Sequence, residues 1–218
     1  MPDVGDHSQP PNGRSFSPLI LVVLLAAGRS NRMGMIGASK LLAEFDGIAL
    51  VRRLAQVALG STTDAVVVIT GHRRLEIEAA LGGLEVECVE NPLYESGMAT
   101  SLATGVSYCR AQGADAILVM LADMPGLTSG NLDQLIAAFR STDGDVVVRA
   151  MGDGKQGNPV ILPKTLFEAV EQLEGDVGAR QVIEASGLPV VYVEIGQAAL
   201  LDVDTPEAVR AAGGTLNA

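Results

Sequence analysis

Residues 25–34 read Leu25-Ala26-Ala27-Gly28-Arg29-Ser30-Asn31-Arg32-Met33-Gly34, and Lys40 follows shortly after. Arg29, Arg32 and Lys40 belong to a chain with only 15 lysines and arginines and a formal charge of −11. Gly28 and Gly34 let the backbone approach a ligand closely, and exposed amides in such a loop bind phosphate oxygens. The cations suit a triphosphate, above all where charge builds on a departing pyrophosphate. Taken alone, such a loop is most often a Gly-rich turn with solvated arginines. The loop itself carries neither a G-x-x-x-x-G-K-[ST] nor a G-x-G-x-x-G string, so it is neither a P-loop nor a dinucleotide fingerprint.

Two aspartates could complete a phosphate-transfer site. Asp123 follows the apolar run 117–121 and precedes Met124-Pro125. A carboxylate at the carboxyl end of a strand can hold Mg²⁺ without being buried unpaired. Asp204 follows a strand-like stretch and could meet it, although a helix N-terminal carboxylate is the plainer reading. Mg²⁺ usually takes one or two protein carboxylates and completes its shell with phosphate and water. Asp202 is the rival for the second position, and strand alternation points it the opposite way. Gly97, Met98 and Ser101 lie where a loop enters a helix, a natural place for anionic oxygens. Ser101 could equally be a helix cap.

These residues need a frame. Continuous apolar runs at 19–25, 65–70 and 117–121 predict strands buried on both faces. Further strands are expected at 85–89, 145–149, 160–162 and 190–195. Val51, Leu54, Ala55 and Ala58 recur at helical spacing, as do Leu132, Leu135, Ile136 and Phe139. Helices are expected at 49–59, 73–81, 100–110, 131–139 and 166–173. Thr205-Pro206 supplies an N-cap and a first-turn proline for a last one. The alternation predicts an α/β fold: a single-domain, Rossmann-like, mostly parallel sheet with helices on both faces. Ligands of such sheets bind at the carboxyl ends of the strands. Residues 1–17 are polar, carry three of the ten prolines, and read as a disordered arm; 18–218 form the domain.

Composition narrows the function. The charge argues against nucleic acid and anionic membrane partners. Cys88 and Cys109 are too few for a disulfide framework or a four-cysteine zinc site. The longest apolar run, 19–27, is too short for a membrane span of about 20 residues. A reduced, cytoplasmic protein is expected.

The loop 25–34 with Lys40 resembles the signature of nucleotidyltransferases that couple an NTP to an acceptor phosphate. Asn91-Pro92 with Ser96-Gly97-Met98 and Ser101-Leu102, then Leu121-Ala122-Asp123-Met124-Pro125, follow in family order. So do Gly157-Asn158-Pro159-Val160, Gly175-Asp176-Val177-Gly178-Ala179-Arg180 and Asp202-Val203-Asp204-Thr205-Pro206-Glu207. The set resembles the molybdenum cofactor cytidylyltransferases of the MobA-like NTP transferase group, over residues 19–212. Here Lys40 stands further from the Arg-Met-Gly element than is usual, with 35–39 intervening.

The resemblance implies a nucleotide-diphospho-sugar transferase-like fold and transfer of CMP from CTP to the terminal phosphate of molybdenum-molybdopterin. Arg32 and Lys40 would stabilise the α-phosphate and the departing pyrophosphate. Leu25, Ala26, Ala27, Gly28 and Arg29 would approach the nucleotide, with Gly71, His72, Gly97 and Ser101. Asn158, Asp176 and Arg180 would face the acceptor; Arg180 could instead pair with Asp176. Asp123 and Asp204 would hold Mg²⁺. Leu-Ala-Ala-Gly favours CTP, since guanylyltransferase relatives more often carry Leu-Ala-Gly-Gly. An apo-molybdoenzyme of the xanthine dehydrogenase type would be the client. The alternatives are GTP, another phosphorylated acceptor, a small-molecule oxidoreductase, or a cofactor-delivery chaperone.

Overall fold

A computed structural model of the chain describes residues 17–29, 39–175 and 178–216. The expected arm lies outside these residues except for Ser17, and so do Arg32 and Asp176.

In chain order the elements are β1 (Ile20–Leu25), β2 (Glu44–Phe45), β3 (Ile48–Ala49), α1 (Leu50–Leu59), β4 (Ala65–Thr70), α2 (Arg74–Leu81) and β5 (Glu87–Glu90). They continue with α3 (Met98–Ala111), β6 (Ala116–Leu121), α4 (Ser129–Arg140), β7 (Val147–Gly152), β8 (Lys155–Pro163) and α5 (Phe167–Glu171). The last are α6 (Arg180–Ser186), β9 (Val190–Glu194), α7 (Pro206–Ala211) and β10 (Gly214–Thr215). Seven strands form one sheet in the order β5-β4-β1-β6-β8-β7-β9.

β1 lies between β4 and β6, parallel to both. Its apolar run is continuous because both faces are covered. Val22 and Leu24 pack with Leu50, Leu54, Leu132 and Leu135 of α1 and α4. Leu21 and Val23 face the opposite way, in one cluster with Leu102 and Val106 of α3, Phe167 of α5, and Val182 and Ile183 of α6. The result is a three-layer α/β/α domain, in agreement with the expected fold. None of the described helices is long and apolar enough to cross a membrane.

The sheet departs from the simple parallel expectation at its far side. β8 is antiparallel to both β6 and β7. Asp153 and Gly154, at φ 49° and 73°, make the tight turn that folds β7 back into β8. Positive φ at both central residues matches the twist of a two-residue hairpin, which Asp-Gly readily adopts. Asp46-Gly47 does the same between β2 and β3 (φ 53° and 76°), and β10 joins them in a separate three-stranded sheet. Neither this sheet nor α6 is predicted by the periodicity.

Candidate active site

The carboxyl ends of β1, β4 and β6 share one edge of the sheet, and the predicted chemistry gathers there. β6 ends at Leu121, and the chain turns through Ala122 and Asp123. The Asp123 carbonyl accepts the Val203 N–H at 2.9 Å, which straps the 201–204 segment against the turn. Val203 is fully buried and anchors that strap. Thr205 then caps α7, accepting the Ala208 N–H at 3.1 Å, with Pro206 at the first helical position.

Lys40 enters from the opposite side. It opens a short 3₁₀ turn over Lys40–Leu42, held down by the buried Leu41. Its Nζ donates to Asp123 Oδ2 and to Asp204 Oδ1, both at 2.6 Å. The longer approach to Lys40 therefore does not displace it from the aspartates. Burial would lower the pKa of the Lys40 ammonium, but the carboxylates of Asp123 and Asp204 outweigh it and hold it above the usual lysine range.

Asp202 joins the group. Oxygens of Asp123, Asp202 and Asp204 lie within 4.8 Å of one another. The alternation argument for turning Asp202 away fails because residues 201–204 have no strand ladder. Both flanks of the buried Val203 instead reach the same place. A second correction concerns Asp123, whose Oδ1 is buried without a hydrogen-bond partner. An orphaned carboxylate oxygen beside two further carboxylates is a fitting donor set for a hard divalent cation.

A cleft of about 430 Å³ adjoins this cluster. Leu25, Ala27, Gly28, Arg29, Lys40, Gly97, Ser101 and Asp123 line it, all of them expected. Ala26 does not; its methyl packs into the core with Val22 and Leu24. Much of the nearby backbone is committed to the fold. The Leu25 carbonyl accepts Ala122 N–H, Ala26 N–H donates to Ile69 O, and the Ala27 carbonyl accepts His72 N–H. Arg29 pairs with Glu95 at 3.3 Å, with both side chains about half exposed, so this contact holds the guanidinium only weakly.

Gly97, at φ 113°, opens the 14-residue α3 toward the cleft. The Ser101 hydroxyl accepts Asn91 Nδ2–H at 3.0 Å. Asn91 also donates to Thr100 Oγ1, and its carbonyl oxygen accepts the Leu93 N–H. This buried amide therefore sets the end of β5 against the start of α3, and it lies in the Asn-Pro pair visible in the sequence. Gly71 and His72 stand one layer behind the lining. Tyr94 is in front of them, its ring 6.1 Å from the His72 ring. Tyr94 is a lining residue the sequence reading misses.

Asn158 and Arg180 stand on the far half of the sheet, on β8 and at the start of α6. Arg180 pairs with Glu184 at 2.7 Å, one helical turn on. The Gly175 carbonyl accepts the Ala99 N–H at 3.2 Å, which docks this region against the start of α3. Neither Asn158 nor Arg180 is among the residues that line the cleft.

With this geometry in place, the likeness to known proteins is informative. The model of the MobA-like NTP transferase domain matches residues 22–190. The chain is 32% identical over 204 residues to the purine catabolism protein PucB of Bacillus subtilis, covering 88% of this chain and 94% of that one. It is 28% identical over 172 residues to a probable molybdenum cofactor guanylyltransferase of Natronomonas pharaonis, covering 79% and 82%. A solved structure of a nucleotidyl transferase from Methanothermobacter thermautotroptrophicus superimposes with a TM-score of 0.76 at 25% identity, over 88% of this chain and 95% of that one. Family and neighbour both support nucleotidyltransferase chemistry. The chain belongs to the family of MobA-like NTP transferase domains.

Proposed function

We propose that the protein transfers CMP from CTP to the terminal phosphate of molybdenum-molybdopterin, with release of pyrophosphate. The observation that carries this reading is the cluster at the cleft mouth: Lys40 held by Asp123 and Asp204, Asp202 beside them, and a buried carboxylate oxygen awaiting a partner.

An acceptor phosphate oxygen attacks the α-phosphorus of the nucleotide. The bond from that phosphorus to the bridging oxygen of the β-phosphate breaks, and pyrophosphate departs with the electron pair. No protein nucleophile is needed, and positioning and charge stabilisation do the work. Asp123 and Asp204, with Asp202 adjacent, would hold Mg²⁺. Bound there, the ion neutralises phosphate charge and favours attack at phosphorus. Lys40 then turns its ammonium to the α-phosphate and the departing pyrophosphate, with Arg32 assigned the same task. Gly28 and Arg29 face the phosphates, and the start of α3 with Ser101 offers donors to the nucleotide. Gly71 and His72 support the base from behind Tyr94. Asn158, Asp176 and Arg180 are assigned to the acceptor.

The choice of CTP rests on Ala27. It stands among the residues that line the cleft, at the position where guanylyltransferase relatives more often carry glycine. The Natronomonas relative is named a guanylyltransferase, which keeps GTP as the second reading. The Bacillus relative is named for purine catabolism, which accords with a xanthine-oxidising molybdoenzyme as client.

The test is pyrophosphate release with Mg²⁺, offering CTP, GTP, ATP and UTP in turn, with and without molybdenum-loaded molybdopterin. Release that requires both CTP and the pterin is the expected result. Release with GTP in preference corrects the base. No release with any pair overturns the reading.

A further inference from the structure

The sequence reading passes over Arg149, which looks like the end of an ordinary strand. In the sheet it sits on β7, opposite Val160 of β8 and Tyr192 of β9. Val147 and Val160 point to the face covered by α3, α5 and α6, and alternation along β7 puts Arg149 on that face too. Its Nε donates to the Gly157 carbonyl at 3.0 Å, across an irregularity in the β7–β8 pairing. That bond draws the guanidinium toward the carboxyl edge of the sheet, level with Asn158. Its remaining N–H groups make no hydrogen bond or ion pair among the described residues.

The surroundings do not explain it as a structural ion pair. Burial pushes the Arg149 pKa down; Tyr192 and Glu184 act in the opposite sense and Arg180 in the same one. Glu184 is already engaged by Arg180 at 2.7 Å. The side chain is only partly buried and its terminal nitrogens keep contact with solvent, so a fork of donors stands open to a ligand at this edge. Its place indicates which ligand. Val119 pairs with Val160, so Asn158 stands level with Leu121, two residues before Asp123. β7 is two strands from β6, about 10 Å at ordinary strand spacing. An acceptor lying along this face from Asp123 crosses Asn158 and reaches Arg149.

We infer that Arg149 binds a second anionic group of the acceptor, remote from the phosphate that is joined to the nucleotide. This rests on the nucleotidyltransferase reading above and narrows its substrate class. The acceptor is a phosphate monoester with a negatively charged head; one with a short cationic head would be refused. The dithiolene-bound molybdenum-oxo end of molybdopterin is such a group.

Two measurements test it. In steady-state kinetics with molybdenum-loaded molybdopterin, Arg149→Gln should raise the acceptor KM by about tenfold to a hundredfold, the span expected for a hydrogen-bonded charge. The KM for CTP should stay put, and Arg149→Lys should recover part of the loss. If Arg149 only staples the hairpin, Arg149→Gln lowers the melting temperature and leaves the acceptor KM unchanged, which overturns the inference. The second measurement does not need the acceptor. The Nε–H signal of Arg149 is assigned by its loss in Arg149→Gln. It should move on titration with inorganic phosphate while a non-hydrolysable CTP analogue and Mg²⁺ fill the nucleotide site. A signal that stays still overturns the inference. Absence of turnover in the wild type, with the signal moving, refutes the assigned acceptor and leaves the anion site standing.

Discussion

Lys40→Met removes the ammonium that Asp123 and Asp204 share, and the structure fixes the size of the effect. Both contacts are 2.6 Å, and only 13% of the lysine side chain is exposed. Removing one partner of a buried pair costs about 3–5 kcal/mol. Asp204 keeps 32% of its side chain exposed, so water offsets part of the loss and the low end, about 3 kcal/mol, is expected. In a domain of this length that lowers the melting temperature by about 6–12 °C. The sign of the pH dependence follows from the raised Lys40 pKa. The native state holds this proton more tightly than the unfolded chain does. The stabilisation is therefore complete below about pH 10.4 and fades as pH rises through the folded value. Urea unfolding of both proteins at several pH values is the assay. The gap should be constant from neutral pH to about 10 and close above that. Mg²⁺ at ten times its dissociation constant should restore about 1.4 kcal/mol to the variant. Turnover should fall about a hundredfold at saturating nucleotide, with nucleotide affinity changed far less. A loss below about 0.5 kcal/mol, or a gap that closes between pH 7 and 9, would show that the ion pair is not as drawn.

Other outcomes follow from the same geometry. Asp123→Ala should abolish transfer yet keep the far-ultraviolet circular dichroism of the wild type; full turnover with Mg²⁺ would remove Asp123 from the metal site. Gly157→Ala should cost stability on the order of 1–3 kcal/mol, because a Cβ there would overlap the Ala199 carbonyl. Chemical denaturation measures it, and an unchanged midpoint would mean that the 196–199 turn yields freely. Burial pushes the Cys109 thiol up to about 12. Above the ordinary thiol value only the unfolded chain releases this proton, so stability should fall as pH rises from about 8.5 toward that value. Native Cys109 should also resist iodoacetamide until denaturant is added; rapid labelling of the folded protein would contradict its burial.

What the sequence makes legible is what a single physical rule dictates. β1, β4 and β6 stand out because strands covered on both faces have no polar alternation. Asp123 is legible for the same reason, since the end of such a strand is easy to find. Where two rules compete, the reading errs. The strand period, applied to residues 201–204, turns Asp202 away. A buried Val203 outside any ladder leaves both neighbouring aspartates free to converge. Asp153-Gly154 is a plain hairpin signal, yet the expectation of a mostly parallel sheet does not single out β7 and β8 as an antiparallel pair. The β2–β3 hairpin, with strands of only two residues each, is too short for periodicity to register. Arg149 has no motif at all. The role proposed for it comes from the face it shares with Asn158 and from the absence of an ion pair to it among the described residues, and both are properties of the folded sheet.

The charge of the site explains how so acidic a chain can serve a polyanionic substrate. Three carboxylates around one ammonium leave an excess of two negative charges at the mouth of the cleft. A divalent cation held by Asp123, Asp202 and Asp204 would cancel that excess and relieve Lys40 of its part as their counter-ion. The ammonium would be available to the phosphates, together with Arg29, whose pairing with Glu95 is exposed and weak. On the proposed reading, a triphosphate would meet a cleft mouth relieved of its negative excess once the metal is bound, although the chain as a whole carries −11. The same reasoning separates the two halves of the site. On the proposed reading, metal and lysine would manage charge where bonds change. Arg149 lies two strands away and in register with Val119, four residues before Asp123, where its charge would stabilise substrate and transition state alike. It should therefore govern which acceptor binds rather than how fast the bound one reacts.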